Sequence, residues 1–192
     1  ACPVGGETVG KKIAGIMGVE AGESVRMTAF VQCQGDCDKT TLDYDYYGIE
    51  DCRMLSFVPN GGAKSCNYGC LGFGSCVQTC PFDAIHVENG VAKVDREACK
   101  ACGKCVEVCP KNLITLIPYD AKYAVACSSK DKGPVTMKDC SAGCIGCQLC
   151  KKNCPAQAVD VQDFNATIDQ DKCEGCGVCM EKCPKKSIVK LG

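Results

Sequence analysis

The chain has no tryptophan, one histidine and only 6% aromatic residues. That histidine, His86, falls on an expected strand with no ligand spacing to a cysteine run, so it reads as a surface or packing residue. No stretch of 18 apolar residues occurs, which excludes a membrane-spanning helix within these 192 residues. Neither a Rossmann fingerprint nor a flavin motif is present, so direct chemistry on a nicotinamide is not expected. An excess of positive charge is also missing. The 22 Lys and Arg are opposed by 23 Asp and Glu, for a formal charge of -1, which disfavours a nucleic-acid partner.

What is abundant is cysteine, at 22 residues. A fraction this high means disulfides or metal. Four stretches end in Cys-Pro: Cys66-x3-Cys70-x5-Cys76-x3-Cys80, Cys99-x2-Cys102-x2-Cys105-x3-Cys109, Cys144-x2-Cys147-x2-Cys150-x3-Cys154 and Cys173-x2-Cys176-x2-Cys179-x3-Cys183. Cysteines this close in one loop are poorly placed to pair with one another. Structural zinc closes with four ligands and does not explain a third cysteine followed by Cys-Pro. The last three runs match the bacterial ferredoxin spacing without a gap. The pattern predicts at least four [4Fe–4S] clusters, and hence an electron carrier. An oxidised cluster with four thiolates carries about -2, so four would bring the loaded chain to about -9 and favour basic patches on redox partners.

The sequence repeats at an offset of 74 residues. Cys66, Cys70, Cys76, Cys80, Cys99, Cys102, Cys105 and Cys109 fall on Cys140, Cys144, Cys150, Cys154, Cys173, Cys176, Cys179 and Cys183 with no gap. Such a period indicates duplication of a whole unit. The expected fold is α+β: tandem two-cluster bacterial ferredoxin-like modules, with small β-hairpins and short helices around the clusters. Ala84–Val87 and Val91–Val94 flank Asn89-Gly90 and predict a hairpin; Ala158–Val161 and Ala166–Ile168 predict its counterpart. The division reads as residues 1–28, remnant of an N-terminal cluster domain; 29–65, a cysteine-bearing lead-in; 66–118, module 1; 119–139, a linker; and 140–192, module 2. A short amphipathic helix is expected around Ile13–Met17.

In two-cluster ferredoxins the fourth cysteine of one run ligates the other cluster. Three sets follow: Cys99, Cys102, Cys105 with Cys80; Cys144, Cys147, Cys150 with Cys183; and Cys173, Cys176, Cys179 with Cys154. The first run is irregular, because Phe73 stands where Cys147 stands in the second unit. The expectation is that Cys66 replaces the missing ligand beside Cys70, Cys76 and Cys109. The rival is a three-cysteine [3Fe–4S] site. Upstream, Cys33, Cys37 and Cys52 read either as three free thiols or as ligands of a fifth cluster that competes for Cys66. Cys127 and Cys140 read as buried, inert thiols, although Cys127 follows a short apolar strand just as Cys33 does. Tyr44, Tyr46 and Tyr47 stand among acids, read either as a solvated loop or as a docking patch for a soluble redox partner.

Beyond the cysteine runs, the whole chain resembles the B subunit of the Rnf complex in its long, two-module form. The stretches that carry this are Ala1-Cys2-Pro3-Val4-Gly5-Gly6, Lys12–Glu20, Tyr47–Cys52, Ser65–Gly72, Pro81–Val87 and Cys127–Gly133. The resemblance implies a relay component of a membrane-bound, ion-translocating ferredoxin:NAD oxidoreductase. Such a component passes electrons from reduced ferredoxin towards NAD while Na+ or H+ is moved. It implies further subunits and soluble ferredoxin as partners, and a place at the cytoplasmic face of the cell membrane. It also implies an N-terminal helix and a cluster motif ahead of Cys2, so that Cys2 is expected to be an orphan ligand of a truncated cluster. A free-standing soluble polyferredoxin is the alternative from the cluster chemistry alone.

Overall fold

The computed structural model describes residues 5–19 and 25–191; Cys2 lies outside them. A first helix, α1 (Gly6–Met17), ends at Gly18, whose left-handed conformation lets the chain turn away. The expected helix is present; Ala14 is buried on it, while Ile13, Ile16 and Met17 face solvent.

Among the described residues, short helices are interspersed with eight short strands: β1 (Met27–Val31), β2 (Ile85–Glu88), β3 (Val91–Val94), β4 (Ile114–Pro118), β5 (Tyr123–Val125), β6 (Val159–Gln162), β7 (Asn165–Ile168) and β8 (Ile188–Lys190). They pair antiparallel as β1–β4, β2–β3, β5–β8 and β6–β7. Alternation of β-branched residues with polar ones forms the two inner hairpins. Asn89 and Gly90 close one and Asp163 and Phe164 the other, all four at positive φ, as a two-residue turn matched to strand twist requires.

The outer sheets are longer-range. The lead-in supplies β1, with Val31 opposite Ile114; the connecting segment supplies β5, with Val125 opposite Ile188. Ile114 and Ile188 are equivalent in the repeat, so Val31 and Val125 are equivalent too, although their segments share little sequence. The amide of Gln32 donates to Leu113 and that of Ala126 to Ser187, again at matching positions. The result is two matching units of mixed helix and strand, each with an inner hairpin and an outer two-stranded sheet.

Apolar packing is modest. One core gathers Ala29, Val31, Ile85, Val91, Leu113 and Ile114 with Cys70 and Cys76. The other gathers Val125, Val159, Ala166 and Ile188 with Cys144, Cys150 and Cys179. Cysteines form part of each core, so thiol placement and core packing are one problem. Backbone contacts join the units directly: Thr40 bridges Cys140, Thr41 donates to Asp139, and Ser141 donates to Lys39. The Gln34 amide reaches the Lys186 carbonyl.

The cysteine loops press against the hairpin turns. A Cβ on Gly146 would stand 2.9 Å from Cα of Phe164, and one on Gly72 would stand 2.8 Å from the Gly90 carbonyl oxygen. Both glycines also have positive φ. Gly146→Ala should therefore cost about 1–2 kcal/mol or more in strain and backbone displacement, read as a lower denaturation midpoint. Gly10→Ala, where a Cβ meets nothing, should be neutral or slightly stabilising.

Candidate iron–sulfur centres

The four Cys-Pro turns share one backbone design. After Cys80, Cys109, Cys154 and Cys183 the chain passes Pro and one further residue. It then enters the left-handed region at Asp83, Asn112, Gln157 and Lys186, with φ of 49, 51, 50 and 50°. The next amide swings back onto the sulfur. Ala84, Leu113, Ala158 and Ser187 donate to the Sγ of Cys80, Cys109, Cys154 and Cys183 at 3.5, 3.5, 3.3 and 3.3 Å. A side chain at positive φ costs about 1–2 kcal/mol, so four repetitions mark a common requirement. Amide donors favour sulfur carrying negative charge, which is what a thiolate ligand needs. Each short helix in these runs starts from a left-handed residue as well. Gly74 precedes α2 (Ser75–Thr79), Gly103 precedes α3 (Lys104–Val108), Gln148 precedes the helix Leu149–Lys152, and Gly177 precedes the helix Val178–Glu181.

The cysteines gather into sets of four. Cys80, Cys99, Cys102 and Cys105 line one hollow with Ala29, Ile85 and Val94. A second, with Val125, Val161 and Ile188, holds Cys144, Cys147, Cys150 and Cys183. Near Cys179 the neighbouring thiols are Cys173, Cys154 and Cys176.

The first run behaves differently. Its hollow is lined by Cys70, Cys76 and Cys109, and the fourth thiol there is Cys52, not Cys66. Cys52 arrives on a short 3-10 helix, Cys52–Phe57. Its amide donates to Oγ of the buried Ser75 at 2.9 Å, and Ser75 donates to Asp51 at 2.8 Å. Asp51 caps the same helix through the amide of Arg53. The Arg53 guanidinium holds the Asp51 carboxyl well below the usual carboxylate range, with help from the Arg53 amide and Ser75. Phe73, in the place of the missing cysteine, turns instead towards the Tyr46 ring, 5.5 Å between centroids.

Cys66 lies elsewhere, in a hollow with Cys33, Cys127 and Cys140. Cys33, Cys37 and Cys52 are thus not brought together. Cys37 is exposed on a loop laid over the β2–β3 turn, its amide donating to the Asn89 carbonyl. Cys127 and Cys140 both line the Cys66 hollow. His86 is half-exposed, with a carboxylate oxygen of Asp83 3.9 Å from its ring nitrogen. Of the tyrosines, Tyr44 donates to the Pro59 carbonyl and Tyr46 to the Ile49 carbonyl, while Tyr47 stands out in solvent.

Burial dominates the chemistry of these thiols. It pushes Cys66 and Cys76 up to about 12, and Cys105, Cys127 and Cys150 up to about 11. Crowding by the other members of each set adds to this. These five thiols therefore favour the neutral form until iron binds, and cluster assembly must release their protons. Among the described residues, no three His, Cys, Asp or Glu side chains converge as a single metal ion would need. The thiols surround apolar hollows, with amides at the sulfurs, which fits a polynuclear cluster.

Profiles of a 4Fe-4S dicluster domain match residues 63–116, 98–159 and 143–187. The chain is 43% identical over 173 residues, 90% of its length, to the B subunit of the ion-translocating oxidoreductase complex of Methanosarcina acetivorans. It is 47% identical over 174 residues, 90% of its length, to the B subunit of the Na(+)-translocating ferredoxin:NAD(+) oxidoreductase complex of Acetobacterium woodii. The B subunit of the proton-translocating ferredoxin:NAD(+) oxidoreductase complex of Clostridium ljungdahlii is 42% identical over 173 residues, 90% of this chain. The chain is thus similar to these B subunits along 90% of its length. It spans 65%, 52% and 61% of the lengths of those three relatives. Like other proteins with dicluster domains, this chain carries several [4Fe–4S] clusters.

The thiol sets give a direct expectation. Cys52→Ser should change the signal of one module 1 cluster in EPR of the reduced, anaerobically reconstituted protein, with loss of up to about four irons. Cys37→Ser should leave every signal and the iron count unchanged. An unaltered Cys52→Ser spectrum would remove Cys52 from the ligand set.

Proposed function

We propose that this chain is the electron-relay part of an ion-translocating oxidoreductase complex, taking electrons from reduced ferredoxin and passing them towards NAD reduction. The observation that carries the reading is the line of four-cysteine sets in a chain related to B subunits along 90% of its length. Bound clusters supply one-electron acceptance and release; the polypeptide supplies placement, shielding and tuning.

The residues divide that labour. Cys80, Cys99, Cys102 and Cys105 would hold one cluster of module 1, and Cys52, Cys70, Cys76 and Cys109 the other. In module 2 the ligands would be Cys144, Cys147, Cys150 and Cys183 for one, and Cys154, Cys173, Cys176 and Cys179 for the other. The amide donors at the four Cys-Pro sulfurs favour added negative charge and so raise the potential relative to a bare apolar pocket. Each module buries three of its ligand thiols, but Cys147 and Cys176 of module 2 are exposed, whereas no ligand thiol of module 1 is. Module 2 is therefore where a soluble donor approaches most closely, and ferredoxin docks there.

The transported ion is not chosen by this chain. B subunits of a Na(+)-translocating and of a proton-translocating complex are similarly close to it, at 47% and 42% identity. Among the described residues no helix is long and apolar enough to cross a membrane. In this proposal the chain is a peripheral part, at the cytoplasmic face, of a complex whose other subunits move the ion.

Reduced ferredoxin should bleach the reconstituted chain rapidly, and raising the salt should change the rate because docking is electrostatic. Glu174→Lys, beside Cys176, should alter that rate severalfold at low salt, while Lys100→Glu at the matching position of module 1 should not. NADH without a flavoprotein should give no bleaching; rapid bleaching by NADH alone would overturn the reading.

A further inference from the structure

We propose that Cys33, Cys66, Cys127 and Cys140 hold a fifth cubane iron–sulfur cluster at the junction of the two modules, where it links them into one electron path. The relay half of this proposal rests on the electron-transfer reading above; the site half does not.

The four thiols come two from each half of the molecule and occupy equivalent positions. Cys66 and Cys140 coincide in the 74-residue repeat. Cys33 and Cys127 each lie two residues beyond Val31 and Val125, which face Ile114 and Ile188 in matching sheets. All four line one hollow. The thiols that crowd Cys66 are Cys127, Cys33 and Cys140, just as Cys80, Cys99 and Cys102 crowd Cys105 within a ferredoxin-type set.

Each sulfur also meets the amide two residues further on. Gly35 reaches Cys33 at 3.4 Å, and Tyr68, Ser129 and Ala142 reach Cys66, Cys127 and Cys140. The same contact links Ala101 to Cys99, at 3.4 Å, in a ferredoxin-type run. A neutral thiol gains little from such donors; a thiolate bound to iron gains much. Lysines complete the surroundings at matching positions, Lys111 acting on Cys66 and Lys185 on Cys140. They would offset the net negative charge of a thiolate-bound cluster.

Two further hydrogen bonds give the site its role. The amide of Cys70 donates to Cys33 Sγ at 3.4 Å, and the amide of Cys144 donates to Cys127 Sγ at 3.2 Å. Cys70 belongs to the nearer thiol set of module 1 and Cys144 to the nearer set of module 2. One hydrogen bond and one residue therefore separate the junction site from its neighbour on either side. One electron received from the Cys70 side leaves to the Cys144 side, or the reverse, with no net change at the junction.

The test uses the full chain, reconstituted anaerobically with iron and sulfide. Wild type should hold about twenty irons, four for each of five sites. The pair Cys127→Ser with Cys140→Ser should hold about four fewer irons and four fewer sulfides, and so should Cys33→Ser with Cys66→Ser. The four remaining reduced EPR signals should persist, with the spin coupling between modules diminished. Electron equilibration between modules after flash reduction should slow at least tenfold. If a double variant also loses neighbouring clusters, Cys66→Ser alone decides, through the Mössbauer spectrum of the 57Fe-loaded protein. One altered iron site supports the assignment; an unaltered spectrum overturns it. Full iron retention in a folded double variant, or zinc in place of iron at the junction, overturns the site. Failure with ferredoxin but the expected iron loss would overturn the choice of donor and leave the site standing.

Discussion

The bond between a backbone amide and a cysteine sulfur organises this molecule. Gathering thiols in an apolar hollow is unfavourable if they are to become anionic, and burial here pushes several of them to about 11 or 12. Donors aimed at the sulfur offset that cost only if the chain bends sharply behind each cysteine. The left-handed residues at Asp83, Asn112, Gln157 and Lys186 are that bend. The small hairpins then exist to back the loops, with Gly72 and Gly146 allowing the backbone of each turn to close on them. A chain with so little conventional core needs its clusters as structural members, as small scaffolds generally need staples.

The legible parts of the fold were those encoded locally. Asn89-Gly90 between alternating residues marked a hairpin, and the fixed offset marked a duplicated ferredoxin unit, because turn chemistry and register are short-range properties. Pairing of β1 with β4 and of β5 with β8 had no such signal. Their partners β1 and β5 come from segments that do not repeat in sequence and are selected by long-range packing. The left-handed Asn112, Gln157 and Lys186 were equally silent, since these residues do not demand positive φ as glycine does.

The thiol groupings divide the same way. The spacing within a run says which cysteines share a loop. It says nothing about a ligand brought from a separate segment. Phe73 revealed that a cysteine was missing, but nearness in sequence pointed to Cys66. The actual neighbour, Cys52, is set by the Asp51–Ser75 hydrogen bonds, which no spacing encodes. The register did contain a hint about Cys66. It is the counterpart of Cys140, which lies ahead of a complete run, so a cysteine at this position is not needed by the loop that follows it.

The hollow at the module junction has a consequence for the chain's entropy. Its thiols span residues 33 to 140, the widest separation of any set. Closing a long loop removes more freedom from the unfolded chain than closing a short one, although the gain grows only logarithmically. Whatever fastens these four sulfurs together ties β1, the first module and the connecting segment into a single closed ring of chain. Opening that ring would uncouple the halves mechanically while leaving each half's own short loops tied.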